Sequence, residues 1–141
     1  MTTSFDVMCA ITTVATLAYG VGMLLPGHVM YAKFFFRPEL WSRLVNKIDT
    51  DAELKNLFWV LIWGGVGLTW LSLGLVMLAV TLGGVVHKKE FAAINVAIWL
   101  YWMGIYVYIL TKRFWTPQAN VVNFVLTLGM VCGWALAAEA A

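Results

Sequence analysis

Residues 57–86 form thirty consecutive positions without one Asp, Glu, Lys, Arg or His. A bilayer core needs about 20 apolar residues in helical form, so a run of this length commits the chain to a membrane. Backbone polar groups in hydrocarbon must be satisfied within their own segment, which selects a helix, here one long enough to tilt or to be interrupted. With 62% hydrophobic residues, 11% charged and a mean hydropathy of +0.86 over 141 residues, the chain has little left for a soluble domain.

Three further apolar stretches, 7–25, 91–111 and 119–138, lie between charged clusters. The expected fold is therefore an all-α integral membrane protein, one domain over 1–141, built as a bundle of four transmembrane helices with spans at about 5–26, 54–85, 90–111 and 117–138. The first span has no basic leader segment and no small-residue cleavage site, so it reads as a retained helix. Cys9 and Cys132 both fall inside spans, where cysteine behaves as a small hydrophobe, and two thiols give no spacing framework for a disulfide.

Thr3 or Ser4 can cap the first helix, with Asp6 in its first turn. Thr12, Thr16 and Gly20 recur every four residues, as do Ala18 and Gly22, giving a small-residue face for close helix approach. Pro26 and Gly27 break it near its end. Pro38 starts a short helix at about 38–48, with Leu40, Trp41, Leu44, Val45 and Ile48 on one face and Arg43, Asn46 and Lys47 on another, the pattern of an interfacial amphipathic helix or of a docking surface. Thr50-Asp-Ala-Glu53 has capping-box spacing and opens the second span. Gly64, Gly65, Gly67 and Gly74 inside that span suggest tight packing or a bend.

The short His87-Lys-Lys-Glu90 loop makes the second and third spans an antiparallel hairpin. Ala93 and Ala97 form a close-approach pair in the third span, and Thr116-Pro117 caps the fourth. Gly129, Gly133 and Ala137 extend a GxxxG pattern, a sign of helix pairing within the bundle or with another protein. Five Lys and Arg lie in the first loop and two in the third, against two in the second. That asymmetry puts the first and third loops on the cytosolic, matrix or stromal side, with both termini opposite.

The residues that carry chemistry are few. His28 and His87 fall on opposite sides of the membrane in this topology and share no metal; each reads as a surface residue or, more sharply, as an axial ligand of a membrane-edge haem or chlorophyll. The spans hold no deep charge of the kind proton relays and coupled transporters use. No acid pair, nucleophile set or zinc spacing nominates a catalytic or metal residue. Asn95, Trp99, Trp102 and Tyr106 follow one helical stripe at membrane depth, read either as interhelical packing or as the wall of a site for a flat apolar ligand such as a sterol, carotenoid, chlorophyll or quinone.

The order of elements, one span, an amphipathic stretch, a tight two-span hairpin and a last span after Thr116-Pro117, is similar to that of small four-helix membrane scaffolds such as the ergosterol-biosynthesis scaffold family. The similarity is of layout over most of the chain; it implies a non-catalytic scaffold and transfers no site residue. The Glu and Arg pairing of light-harvesting chlorophyll proteins is absent. The leading expectation is a non-catalytic accessory or scaffold subunit of a larger membrane complex, with membrane lipids and other membrane subunits as partners and no nucleic acid. The alternatives are a lipid-, sterol- or pigment-binding membrane protein and an oligomeric channel or carrier lined by Asn, Thr and Ser.

Overall fold

The computed structural model describes residues 2–24 and 36–141, apart from the side chains at 23, 59 and 62–65. Pro26, Gly27 and the expected end of the first span lie outside them. Among the described residues the chain is all-helical, with α1 over Ser4–Leu24, α2 over Pro38–Thr50, α3 over Ala52–Trp59, α4 over Leu68–Gly83, α5 over Lys88–Lys112 and α6 over Pro117–Ala140. Ser4–Gly22, α5 and α6 are long and apolar enough to cross a membrane.

The stretch expected as one second span is helical from Ala52 to Gly83 but arrives in three pieces: α3, a π-helical segment over Val60–Gly67, and the 16-residue apolar α4. Gly64, Gly65 and Gly67 fall in the π segment, and without a Cβ they offer little resistance to widening of the helix there. Asp51, rather than Thr50, caps α3: its carboxylate accepts from the Glu53 amide at 3.0 Å and the Leu54 amide at 3.2 Å. The Thr50 hydroxyl instead donates back to the carbonyls of Asn46 and Lys47, closing α2.

The other helix ends follow from local chemistry. Thr3 and Asp6 satisfy one another reciprocally at the start of α1, the Asp6 amide donating to Thr3 Oγ and the Thr3 amide to the Asp6 carboxylate. Thr116 Oγ accepts from the Ala119 amide and Pro117 occupies the first turn of α6. Gly84, at φ +74°, ends α4 where a side chain would be strained.

The long helices pack antiparallel in two close pairs, α1 with α4 and α5 with α6, and α1 also contacts α6. Gly20 faces Leu71 and Gly74 faces Leu17, fixing the register of the first pair. Phe91 against Trp134, and Tyr106 clustered with Ala119, fix the second. Thr12 reaches Met130 and Trp134 between α1 and α6. At one end of the bundle the first and third loops meet: the Arg37 amide donates to the Phe114 carbonyl at 3.1 Å, beside a backbone bridge between Phe36 and Trp115.

Candidate functional site

The interior of the bundle is polar in an ordered way. Thr12, Thr16, Asn95, Asn123 and Thr127 are all buried. Each of three satisfies itself by donating to a carbonyl one turn back, Thr16 to Thr12, Asn95 to Phe91 and Asn123 to Ala119, and Thr127 likewise donates to Asn123. Back-bonding of this kind lets a polar side chain sit inside a low-dielectric bundle while leaving acceptor lone pairs for a neighbour. Thr12 on α1 is bonded across helices instead: its hydroxyl donates to Met130 Sδ on α6 and accepts from Trp134 Nε1 at 3.0 Å, with Thr12 and Trp134 both fully buried.

Around this seam runs a ladder of rings. Trp70 on α4 packs on Tyr19 at 5.3 Å, on Trp99 at 5.8 Å and on Trp102 at 4.9 Å between centroids; Trp102 then meets Tyr106, and Tyr106 meets Trp115. The α4 and α5 backbones stay apart, and these rings fill the space between them. Offset and tilted ring pairs at such distances stabilise by about 0.5–1.5 kcal/mol each beyond the area they bury.

Asn95, Trp99, Trp102 and Tyr106, the stripe singled out by its spacing, thus lie together on the inner side of α5, with Asn95, Trp99 and Tyr106 buried. Their rings face other rings of the chain. Trp99 Nε1 has no hydrogen-bond partner among the described residues, and the ring of Trp70 stands beside it. His87 caps α5 at the opposite end, exposed, with Nδ1 3.9 Å from Glu90 Oε2, and joins none of these groups. His28 lies outside the described residues.

The small residues divide. Gly20 and Gly74 sit where helix backbones touch: a Cβ at Gly20 would lie 2.6 Å from the Leu71 amide nitrogen, and one at Gly74 would lie 2.9 Å from that of Leu17. Gly67 and Ala137 are buried, Gly22 is half-buried, and Gly133 meets the thioether of Met8. Ala93, Ala97 and Gly129 face outwards instead, with open space beyond Gly129. The alanine that α5 buries is Ala92.

No family model, curated protein or solved structure matches this chain. Function must therefore be read from the geometry. Among the described residues no three His, Cys, Asp or Glu side chains gather as a metal site would require, and Cys9 and Cys132 are free thiols, the first buried and the second exposed. Asn123, Thr127 and Trp134 belong to the buried seam without having been singled out from spacing. Their signal was available: polar or N–H-bearing residues at i, i+4 and i+11 in an otherwise apolar helix trace one face.

Proposed function

We propose that the protein is a non-catalytic accessory or scaffold subunit that crosses the membrane four times and packs against a larger membrane protein. The fourth crossing is the helical run from Ala52 to Gly83, in which the π segment joins α3 to α4. Helix α2 lies along the membrane surface, a reading supported by Trp41, which packs on Phe36 and on Phe58 in the last turn of α3, and by the burial of Ile48. The meeting of the first and third loops supports a common side for them, which their excess of Lys and Arg makes the cytosolic, matrix or stromal side.

One observation carries the subunit reading. Tyr101 stands near the middle of the 25-residue α5, is 68% exposed on the outside of the bundle, and its hydroxyl has no hydrogen-bond partner among the described residues. Tyrosine concentrates at membrane edges because a hydroxyl left unpaired in hydrocarbon costs several kcal/mol. Beside it Ala97 and Gly104 are exposed and small, with nothing within 4 Å of a Cβ at Gly104. A flat strip flanked by a hydrogen-bond donor suits a transmembrane helix of another subunit, which would approach at the small residues and offer an oxygen to Tyr101.

Native separation of the source membrane in mild detergent, followed by mass spectrometry, tests this. The chain should migrate in a large assembly, and the double variant Tyr101→Phe, Gly104→Leu should leave that assembly while keeping its own thermal stability. Migration of the unaltered chain alone, near its 15.7 kDa mass plus detergent, would sink the subunit reading.

A further inference from the structure

We propose that the junction of the first and third loops is a binding site for the phosphate of an anionic membrane lipid. Where the start of α2 meets the end of α5, a pocket of about 350 Å³ opens, lined by Arg37 and Arg43 from one side and by Lys112 and Arg113 from the other. Against these four cations stands a single carboxylate, Glu39. Four positive groups from two separate segments, with Arg43, Lys112 and Arg113 exposed, make a local positive potential that attracts an anion.

Among the described residues Glu39 forms no ion pair with any of the four. Among the described residues the ion pairs are Lys55 with Asp49 and His87 with Glu90, so none of the four cations is matched by a carboxylate. Lys112 is instead held with its Nζ 5.8 Å from the centre of the Tyr108 ring, which keeps the ammonium at the end of the membrane-crossing helix. Two guanidinium forks on one side and a guanidinium with an ammonium on the other provide the donors a phosphate oxygen set requires.

Position selects a lipid over free phosphate. The pocket sits at the terminus of α5, which a membrane-crossing α5 would bring to the level of lipid phosphates, and Leu40 and Phe114 give it an apolar edge against which a glycerol backbone and the first methylenes can rest. Glu39 would disfavour a highly charged headgroup and tolerate a phosphodiester, so the expected class of ligand is a phospholipid of single net negative charge, with phosphatidylglycerol as the probe. The inference depends on the chain crossing a membrane and is independent of the subunit reading above.

The experiment uses delipidated full-length protein in a neutral detergent, titrated with phosphatidylglycerol, phosphatidylcholine or sodium phosphate, with bound lipid counted by native mass spectrometry and the melting temperature followed in parallel. Phosphatidylglycerol should bind at one site and raise the melting temperature, and phosphatidylcholine should do neither. Arg43→Gln with Arg113→Gln should weaken phosphatidylglycerol about thirtyfold, because each basic group near a lipid phosphate contributes roughly a fivefold factor. Lys47→Gln with Lys89→Gln removes the same charge elsewhere and should leave binding unchanged. Equal loss in both double variants, or none in either, would overturn the site. Sodium phosphate binding as tightly as the lipid would overturn the choice of a lipid.

Discussion

Helix α1 is held by α4 and by α6 in different ways, and the contrast explains which positions of this bundle tolerate change. Against α4 it relies chiefly on removed atoms, with one hydrogen bond between the Thr13 and Thr81 hydroxyls: a Cβ at Gly20 would meet the backbone of Leu71, and one at Gly74 the Leu17 side chain and then its amide nitrogen. Against α6 it relies on added groups, the Thr12 hydroxyl that accepts from Trp134 and the Met8 thioether that covers Gly133. Without a hydrophobic driving force between helices in lipid, both devices supply what close packing and hydrogen bonding can. They differ in stiffness. A backbone contact resists as a unit, whereas a thioether can turn away.

The largest effect should therefore come from filling the stiff contact. Gly20→Leu would drive a side chain into the amide and Cα of Leu71, and the two helices would have to separate along their length. A loss of about 3 kcal/mol is expected, at the upper end of overpacking costs, read by unfolding in mixed micelles with rising denaturing detergent. A variant within about 0.5 kcal/mol of the parent would mean that α1 and α4 do not meet at this glycine.

An intermediate effect belongs to the hydrogen bond on the other side. Thr12→Val keeps the volume and leaves Trp134 Nε1 unpaired in a fully buried position. The cost should be about 1 kcal/mol, since interhelical hydrogen bonds in membranes average below that and an orphaned donor adds to it. Trp134→Phe alone loses the bond and the volume of the indole, and combined with Thr12→Val it should cost less than the sum of the two single losses in a double-mutant cycle. Strictly additive losses would show that the bond contributes nothing.

How much of this could be read from the chain follows from the same contrast. The 57–86 run and the three other apolar stretches made helices and a membrane legible, because those depend only on length and transfer energy. The inner side of each helix was legible only where a polar group marked it. Asn95 fixes the buried face of α5, and Ala92, Trp99 and Tyr106 follow at helical spacing. Ala93 and Ala97 have the small-residue spacing of a contact, yet they face outwards, since lipid tails and helices are equally apolar to an alanine and spacing alone does not choose between them. On α6 the stripe of Asn123, Thr127 and Trp134 marks the interior better than Gly129 and Gly133 do. The π segment in the run expected as a second span coincides with Gly64, Gly65 and Gly67, but a glycine cluster suits a kink, a π segment and a tight contact alike. The pocket at the first and third loops was invisible, as Arg37 and Arg113 lie 76 residues apart and only the fold joins them.

The smallest effects separate the two glycines of the GxxxG pattern. They are four residues apart on one helix and by spacing alone should behave alike. A Cβ at Gly129 meets nothing, so Gly129→Ala should stabilise the isolated protein by up to about 1 kcal/mol, the ordinary gain of alanine over glycine within a helix. A Cβ at Gly133 meets Met8, whose Cε would be 2.7 Å away, and the same intrinsic gain is offset by moving the thioether. Gly133→Ala should thus be close to neutral, and in a Met8→Ala background it should become stabilising, because the added methyl then occupies space the methionine has left. Unfolding in mixed micelles across these four variants reads both differences. If Gly129→Ala destabilised the isolated chain as strongly as Gly20→Leu, the outward face of α6 would be packed within the bundle after all, and the division of α1 between a stiff and a yielding neighbour would no longer account for the packing of the last helix.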